Sequence, residues 1–67
     1  MNFSIEYERE EDGRWIAEIP ELPGALAYGN TPEEAMARSE ILALRALAEQ
    51  LESGEVGPKA ISISIPA

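Results

Sequence analysis

Two segments near the start of the chain alternate between apolar and polar residues. The alternation runs through residues 2–9 and again through residues 14–19. A period of two residues is typical of a β-strand with one face on the core and one face in water. We therefore predict two strands here, with the following residues on the core face: Phe3, Ile5 and Tyr7 in the first, and Trp15, Ala17 and Ile19 in the second.

The two strands are joined by an Asp-Gly turn, which favours a β-hairpin. Residues directly opposite each other in an antiparallel pair point to the same side. A three-residue loop over 11–13 brings the two apolar sets onto one side, with Gly13 in the left-handed conformation that glycine tolerates. The same register places Glu6 opposite Glu18, a like-charge pair on the other side.

The rest of the chain predicts a third strand, a helix and a last strand. A short strand is predicted over 25–28, after turn residues that include two prolines. A helix is predicted from residue 32 to about 52, because Thr31, Pro32 and Glu34 form a capping box with proline at the first helical position. Gly54 is the predicted C-terminal cap. Alternating Ile and Ser over 60–65 predict a final strand, with its isoleucines facing inward. The order β-β-β-α-β indicates one small α+β domain over residues 1–67.

Apolar residues surround most of the predicted helix, whereas a surface helix usually has one apolar stripe. We expect a broad side to cover the sheet, formed by Met36, Ile41, Ala43, Leu44, Leu47, Ala48 and Leu51. A second strip is a candidate oligomer interface, formed by Ala35, Leu42 and Ala46. The alternative is that this strip faces solvent and that Ala35 and Ala46 are present only because alanine is a good helix former. In that case only the exposed position of Leu42 needs an explanation.

Composition limits the chemistry and favours a partner chain. The chain has 67 residues and no Cys or His, which excludes disulfides, thiolate or imidazole metal ligands, and Ser-His or Cys-His nucleophile pairs. A domain of this size has a marginal core, so association with another chain is the remaining source of stability. We expect a homodimer or a larger homo-oligomer, with no cofactor, no metal and no enzymatic activity.

The charge distribution disfavours nucleic acid and suits a basic protein. Thirteen acidic residues against five basic ones give a net charge of −8, and the basic residues are too scattered to form a phosphate-binding patch. Such a surface suits a basic protein partner or simply keeps a small domain soluble. The candidate partner-binding residues lie on the solvent side of the hairpin: Glu6, Glu8, Glu10, Ile16 and Glu18. With no membrane-length apolar run and no signal peptide, we expect a cytoplasmic protein that binds neither membrane nor small-molecule substrate.

Two motifs give the chain a family resemblance. An acidic-Gly turn and an aromatic residue precede the Pro-Glu-Leu-Pro-Gly of residues 20–24, and Gly-Asn-Thr at 29–31 is followed by Glu-Glu-Ala at 33–35. At this spacing, over roughly residues 3–50, the sequence resembles the HicB-like antitoxin family. The resemblance implies a partial RNase H fold, with one four-stranded mixed sheet, the last strand beside the first, and one helix on one face.

The resemblance also implies a function without chemistry of its own. Members of that family bind and block a small basic mRNA-cleaving toxin of the HicA type, and they commonly form dimers or tetramers. Most also carry a C-terminal DNA-binding domain and repress their own operon; residues 1–67 leave no room for that domain, so the resemblance leaves autorepression open. RNase H catalysis needs clustered metal-binding acids, and here the glutamates are scattered. We therefore expect an antitoxin-like module. The alternative is a homo-oligomeric scaffold or interaction module without a toxin partner.

Overall fold

The computed structural model describes residues 1–66, which form five strands and one helix. The small α+β class predicted from the sequence is confirmed. The elements are β1 (Asn2–Ser4), β2 (Glu6–Arg9), β3 (Trp15–Glu18), β4 (Leu26–Gly29), α1 (Pro32–Ser53) and β5 (Ser62–Ser64).

The strands form two small sheets, which corrects the prediction of one four-stranded sheet. Strands β2, β3 and β4 form an antiparallel sheet in that order, and β1 pairs with β5 in parallel. The predicted first strand is interrupted at Ile5, whose N–H donates to the Ser64 carbonyl at 3.1 Å. The antiparallel ladder cannot extend past this point, because continuing the register would place Ser4 opposite Pro20, which has no N–H to donate.

The hairpin register predicted from the facing rule is confirmed. Tyr7 lies opposite Ala17, and Glu6 lies opposite Glu18. The Glu10 N–H donates to the Arg14 carbonyl at 2.7 Å, which closes a three-residue loop. Gly13 has a φ of 92°, the left-handed conformation predicted for it.

The core lies between α1 and the inner faces of the two sheets. Its buried hydrophobic residues are Phe3, Ile5, Ala17, Ile19, Leu22, Ala25, Ala35, Ala43 and Leu47. Trp15 is half-buried against this core, but Tyr7 is exposed at the outer edge of the sheet, so its prediction as a core residue is wrong. Ile61 and Ile65 are also exposed rather than buried, because β5 is short and pairs only with β1.

The rotation of α1 about its axis differs from the prediction. Its buried residues are Ala35, Ser39, Ala43 and Leu47, so three small side chains, together with Leu47, face the sheet and allow a close approach. The Ser39 hydroxyl donates to the Ala25 carbonyl at 2.7 Å, which ties the middle of the helix to the loop before β4. Four residues predicted to cover the sheet are instead exposed: Ile41, Leu44, Ala48 and Leu51.

Both ends of α1 are capped as the sequence predicts. The Thr31 hydroxyl accepts from the Glu34 N–H at 3.1 Å. The Glu34 carboxylate in turn accepts from the Asn30 N–H at 3.0 Å, one residue earlier than a standard capping box. Gly54 ends the helix with a φ of 80°. These caps satisfy backbone groups that a helix otherwise leaves unpaired.

The domain is more elongated than a compact chain of its length. Its longest dimension is 40 Å and its radius of gyration is 12.6 Å, against about 11 Å for a compact domain of this size. The helix contributes about 33 Å of that length, whereas the strands have only three or four residues each. Within residues 1–66, no helix is both long enough and apolar enough to cross a membrane.

Candidate protein-binding surface

The side of the antiparallel sheet that faces away from α1 is open. Because residues opposite each other in antiparallel strands point to the same side, the register defines this surface, which we call the outer face. It carries three rows of side chains: Glu6, Glu18 and Leu26; Glu8, Ile16 and Tyr28; and, at the hairpin end, Glu10 and Arg14. Most of these residues are exposed, and only Glu10 and Ile16 are half-buried.

All five partner-binding residues predicted from the sequence lie on the outer face. The hairpin register brings Glu6, Glu8 and Glu18 together around Ile16, and these four residues line a shallow depression. Glu10 lies in the next row toward the loop and lines a second depression near Tyr28. The predicted residues therefore form one surface.

The acidic half of this face has no compensating cation. The ion pairs among residues 1–66 join Arg14 to Asp12 at 2.7 Å and Arg38 to Glu34 at 3.3 Å. Neither pair includes Glu6, Glu8 or Glu18. Opposed carboxylates on neighbouring strands repel each other, so a cationic side chain placed over this surface would be attracted by all three. The depression is thus suited to a basic group.

The other half of the outer face is apolar and aromatic. Leu26 and Tyr28 are exposed large hydrophobic residues on β4. The Arg14 guanidinium lies 4.5 Å from the centre of the Tyr28 ring, a cation–π contact. Sequence reasoning did not identify Leu26 or Tyr28, because the length of the turn before β4 leaves the β3–β4 register undetermined. Arg14 follows from the hairpin register as an outward residue, but it was not among the predicted partner-binding residues. Aromatic residues and arginine are enriched in protein interfaces, so this half of the outer face has the composition of one.

Asp12 holds Arg14 in place at the rim of the outer face. The Arg14 backbone N–H donates to one carboxylate oxygen at 3.0 Å, and its Nε donates to the other at 2.7 Å. These two hydrogen bonds, the backbone one foremost, lower the pKa of Asp12 below its ordinary value of 3.8. At neutral pH the Asp12 carboxyl is therefore ionised. Arg14 is thereby oriented toward the Tyr28 ring.

The oligomer strip predicted from the sequence is only partly available to another chain. Ala35 is completely buried in the core of its own chain, so its prediction as an interface residue is wrong. Ala46 is half-buried and packs against the same core. Leu42 remains exposed on α1. The close approach of helix and sheet, which the small residues permit, accounts for this difference.

Two further results bear on the identity of the site. Among residues 1–66, no three His, Cys, Asp or Glu side chains are grouped so that they could hold a metal ion. Comparisons with known protein families, with curated proteins and with solved structures gave no match for this chain.

Proposed function

We propose that this chain is a non-catalytic, antitoxin-like module that binds a small basic ribonuclease through its outer face. The observation that carries the proposal is the uncovered group of Glu6, Glu8 and Glu18, which has no cation of its own. The resemblance to HicB-like antitoxins supports the choice of a HicA-type ribonuclease as the partner. We also propose that the protein acts in the cytoplasm, where an mRNA-cleaving enzyme meets its substrate.

Inhibition follows from competition for the same cations. A ribonuclease binds the phosphates of RNA through lysine and arginine side chains. The outer face offers carboxylates at neighbouring positions on two strands, so the same cations can bind Glu6, Glu8 and Glu18 instead. The net charge of −8 would speed the encounter. Apolar contact with Ile16 would exclude water and strengthen the charged contacts that surround it.

A charge-reversal experiment with a matched control tests the proposal. Glu6→Lys with Glu18→Lys changes the net charge from −8 to −4, since each substitution adds two positive charges. Glu49→Lys with Glu55→Lys makes the same change at exposed positions away from the outer face. Affinity for the cognate basic ribonuclease is measured by calorimetry, and inhibition by an RNA-cleavage assay.

We expect the outer-face variant to bind at least about 100-fold more weakly, which corresponds to about 2.7 kcal/mol, and to lose inhibition. The control variant should lose only a few-fold through weaker long-range attraction. Equal losses in both variants would mean that net charge alone matters. Unchanged affinity in the outer-face variant would refute the proposed surface.

The alternative function, a homo-oligomeric interaction module without a toxin, is favoured by a different observation. Several large aliphatic residues of α1 are exposed and have no role in the core of their own chain. Co-expression with the product of the adjacent gene separates the two functions. A complex with a small basic ribonuclease supports the antitoxin function, and a homo-oligomer that binds no such protein supports the alternative.

A further inference from the structure

A regular row of apolar side chains runs along the exposed side of α1. The row comprises Ala37, Ile41, Leu44, Ala48 and Leu51, and we call it the heptad strip. Its members are separated by four, three, four and three residues, which is the spacing of a and d positions in a coiled coil. All five are exposed, and the three large ones, Ile41, Leu44 and Leu51, expose 48%, 50% and 41% of their surface. Single exposed aliphatic residues are ordinary, but a continuous row indicates an interaction surface.

The sheet of the same chain does not obstruct the heptad strip. At 100° per residue, the centre of the strip lies about 140° around the helix from the centre of its buried residues. The buried side includes Ser39, Ala43 and Leu47. In heptad terms, Ser39 occupies an f position and Ala43 a c position, which point away from a coiled-coil seam, and Leu47 occupies a g position at the flank of the seam. One side of α1 therefore packs on its own sheet while another is free along about 21 Å.

We propose that the occupant of the heptad strip is a second copy of this chain, packed as a parallel two-stranded coiled coil. Ile41 occupies an a position, and Leu44 and Leu51 occupy d positions. A β-branched residue at a with leucine at d favours parallel dimers. The helix is already formed on its own sheet, so the short strip does not have to order a free peptide when it pairs. This inference does not depend on the proposed binding of a ribonuclease.

The flanking charges favour the parallel orientation. Glu40 occupies a g position and Arg45 the e position five residues later, which face each other across a parallel dimer. Two-fold symmetry produces this opposite-charge pair twice. Neither residue belongs to an ion pair within its own chain over residues 1–66. An antiparallel arrangement centred on Leu44 would instead bring the two copies of Arg45 together.

The oligomeric state of the full chain tests the surface. Sedimentation equilibrium at tens of micromolar should give about twice the chain mass of 7.3 kDa. Leu44→Glu should give a monomer with an unchanged circular dichroism spectrum, since the side chain is half exposed. The matched control is Leu42→Glu, which makes the same change on the same helix at a position 36% exposed but outside the strip. It should remain a dimer.

Several results would overturn this surface. A wild-type chain that is monomeric at these concentrations would overturn the proposal. The same holds if the monomer uses Leu44 to bind a different protein. A dimer that resists Leu44→Glu but dissociates with Leu42→Glu would place the interface on the other flank of α1.

Cysteine cross-linking tests the orientation, because the natural chain has no Cys. In a parallel dimer, Ala37→Cys and Leu51→Cys should each form a disulfide with their own copy under mild oxidation. In an antiparallel dimer each variant alone would remain reduced, and only a mixture of the two would cross-link. That second pattern overturns the proposal.

A charge-swap cycle provides an independent check that introduces no apolar change. Glu40→Arg and Arg45→Glu should each weaken the dimer several-fold, because each places like charges across the seam. The double variant should recover most of the affinity, since it restores the opposite-charge pair in reverse. Single variants without effect, or a double variant weaker than both, would overturn the parallel pairing.

Discussion

Gly29→Ala is the substitution for which the structure makes the sharpest prediction about stability. Gly29 is buried at the end of β4, where the chain turns into α1. A Cβ atom added there would lie 2.6 Å from the Ala35 backbone nitrogen and 3.0 Å from both the Ala35 Cα and the Glu34 carbonyl carbon. These are backbone atoms of the first helical turn and cannot rotate away. The start of α1 would have to move off the sheet.

The expected cost can be set against the gain that alanine usually brings. Forcing an extra carbon into a close-packed site costs about 1–3 kcal/mol. Replacing glycine reduces the conformational entropy of the unfolded chain and returns about 0.4–1 kcal/mol. We therefore expect a net loss of about 1–2 kcal/mol. A domain of 67 residues has a total stability of about 3–10 kcal/mol, so this loss is a large share.

Urea unfolding followed by Trp15 fluorescence measures the effect. Trp15 is the single tryptophan, half-buried with its ring centre 5.9 Å from that of Tyr7. With an m-value of about 1 kcal/mol per M, the midpoint should fall by about 1–2 M. All variants are compared at one protein concentration, because the stability of an oligomer depends on it.

Gly57→Ala is the matched control. A Cβ at this position meets no atom within 4 Å, and the backbone there is not in the left-handed region. The control should be neutral or slightly stabilising. If Gly29→Ala behaved like Gly57→Ala, the close approach between β4 and α1 would be wrong, together with the explanation for the rotation of the helix.

Two further predictions concern the helix cap and the hairpin loop. Thr31→Ala should lower the free energy of unfolding by about 1 kcal/mol in the same urea assay, because it removes the acceptor for the Glu34 N–H. Thr31→Ser keeps a hydroxyl and should retain most of the stability. Equal losses in the two variants would contradict the cap. By NMR, the Asp12 carboxyl should titrate below 3.8, its ordinary value. Since folding lowers this pKa, the stabilisation from Asp12 is complete well above pH 3.8 and is lost as the pH falls through the lower folded value. Arg14→Gln should restore only part of the shift, because the larger contribution comes from the Arg14 backbone N–H; full restoration would contradict that assignment.

Local sequence signals were sufficient for the elements whose interactions are close in the chain. The hairpin register followed from matching two apolar sets across a short loop, and the structure has Tyr7 opposite Ala17 as predicted. The start of α1 followed from Thr31 and Pro32, which act within one turn. The acidic part of the candidate site could be predicted for the same reason, since its residues lie on the two strands of one hairpin.

Arrangements that depend on distant contacts were not predictable in this way. Leu26 and Tyr28 joined the outer face only through the β3–β4 register, which the intervening loop does not reveal. The break at Ile5 depends on a hydrogen bond to Ser64, which lies near the other end of the chain. The division into two sheets was therefore missed although the strands themselves were located.

The alternation of residue types and the capping signals thus determined the type and order of the elements, although the structure divides the predicted first strand into β1 and β2. The rotation of α1 was decided only by tertiary structure. A hydrophobicity pattern favours the larger residues as the buried side, yet Ala35, Ser39 and Ala43 face the sheet. Close approach at Gly29 and the hydrogen bond from Ser39 to Ala25 select the small side. Apart from Leu47, the large residues predicted to cover the sheet are thereby left partly or fully outside, because packing depends on the shape of the opposing surface as well as on hydrophobicity.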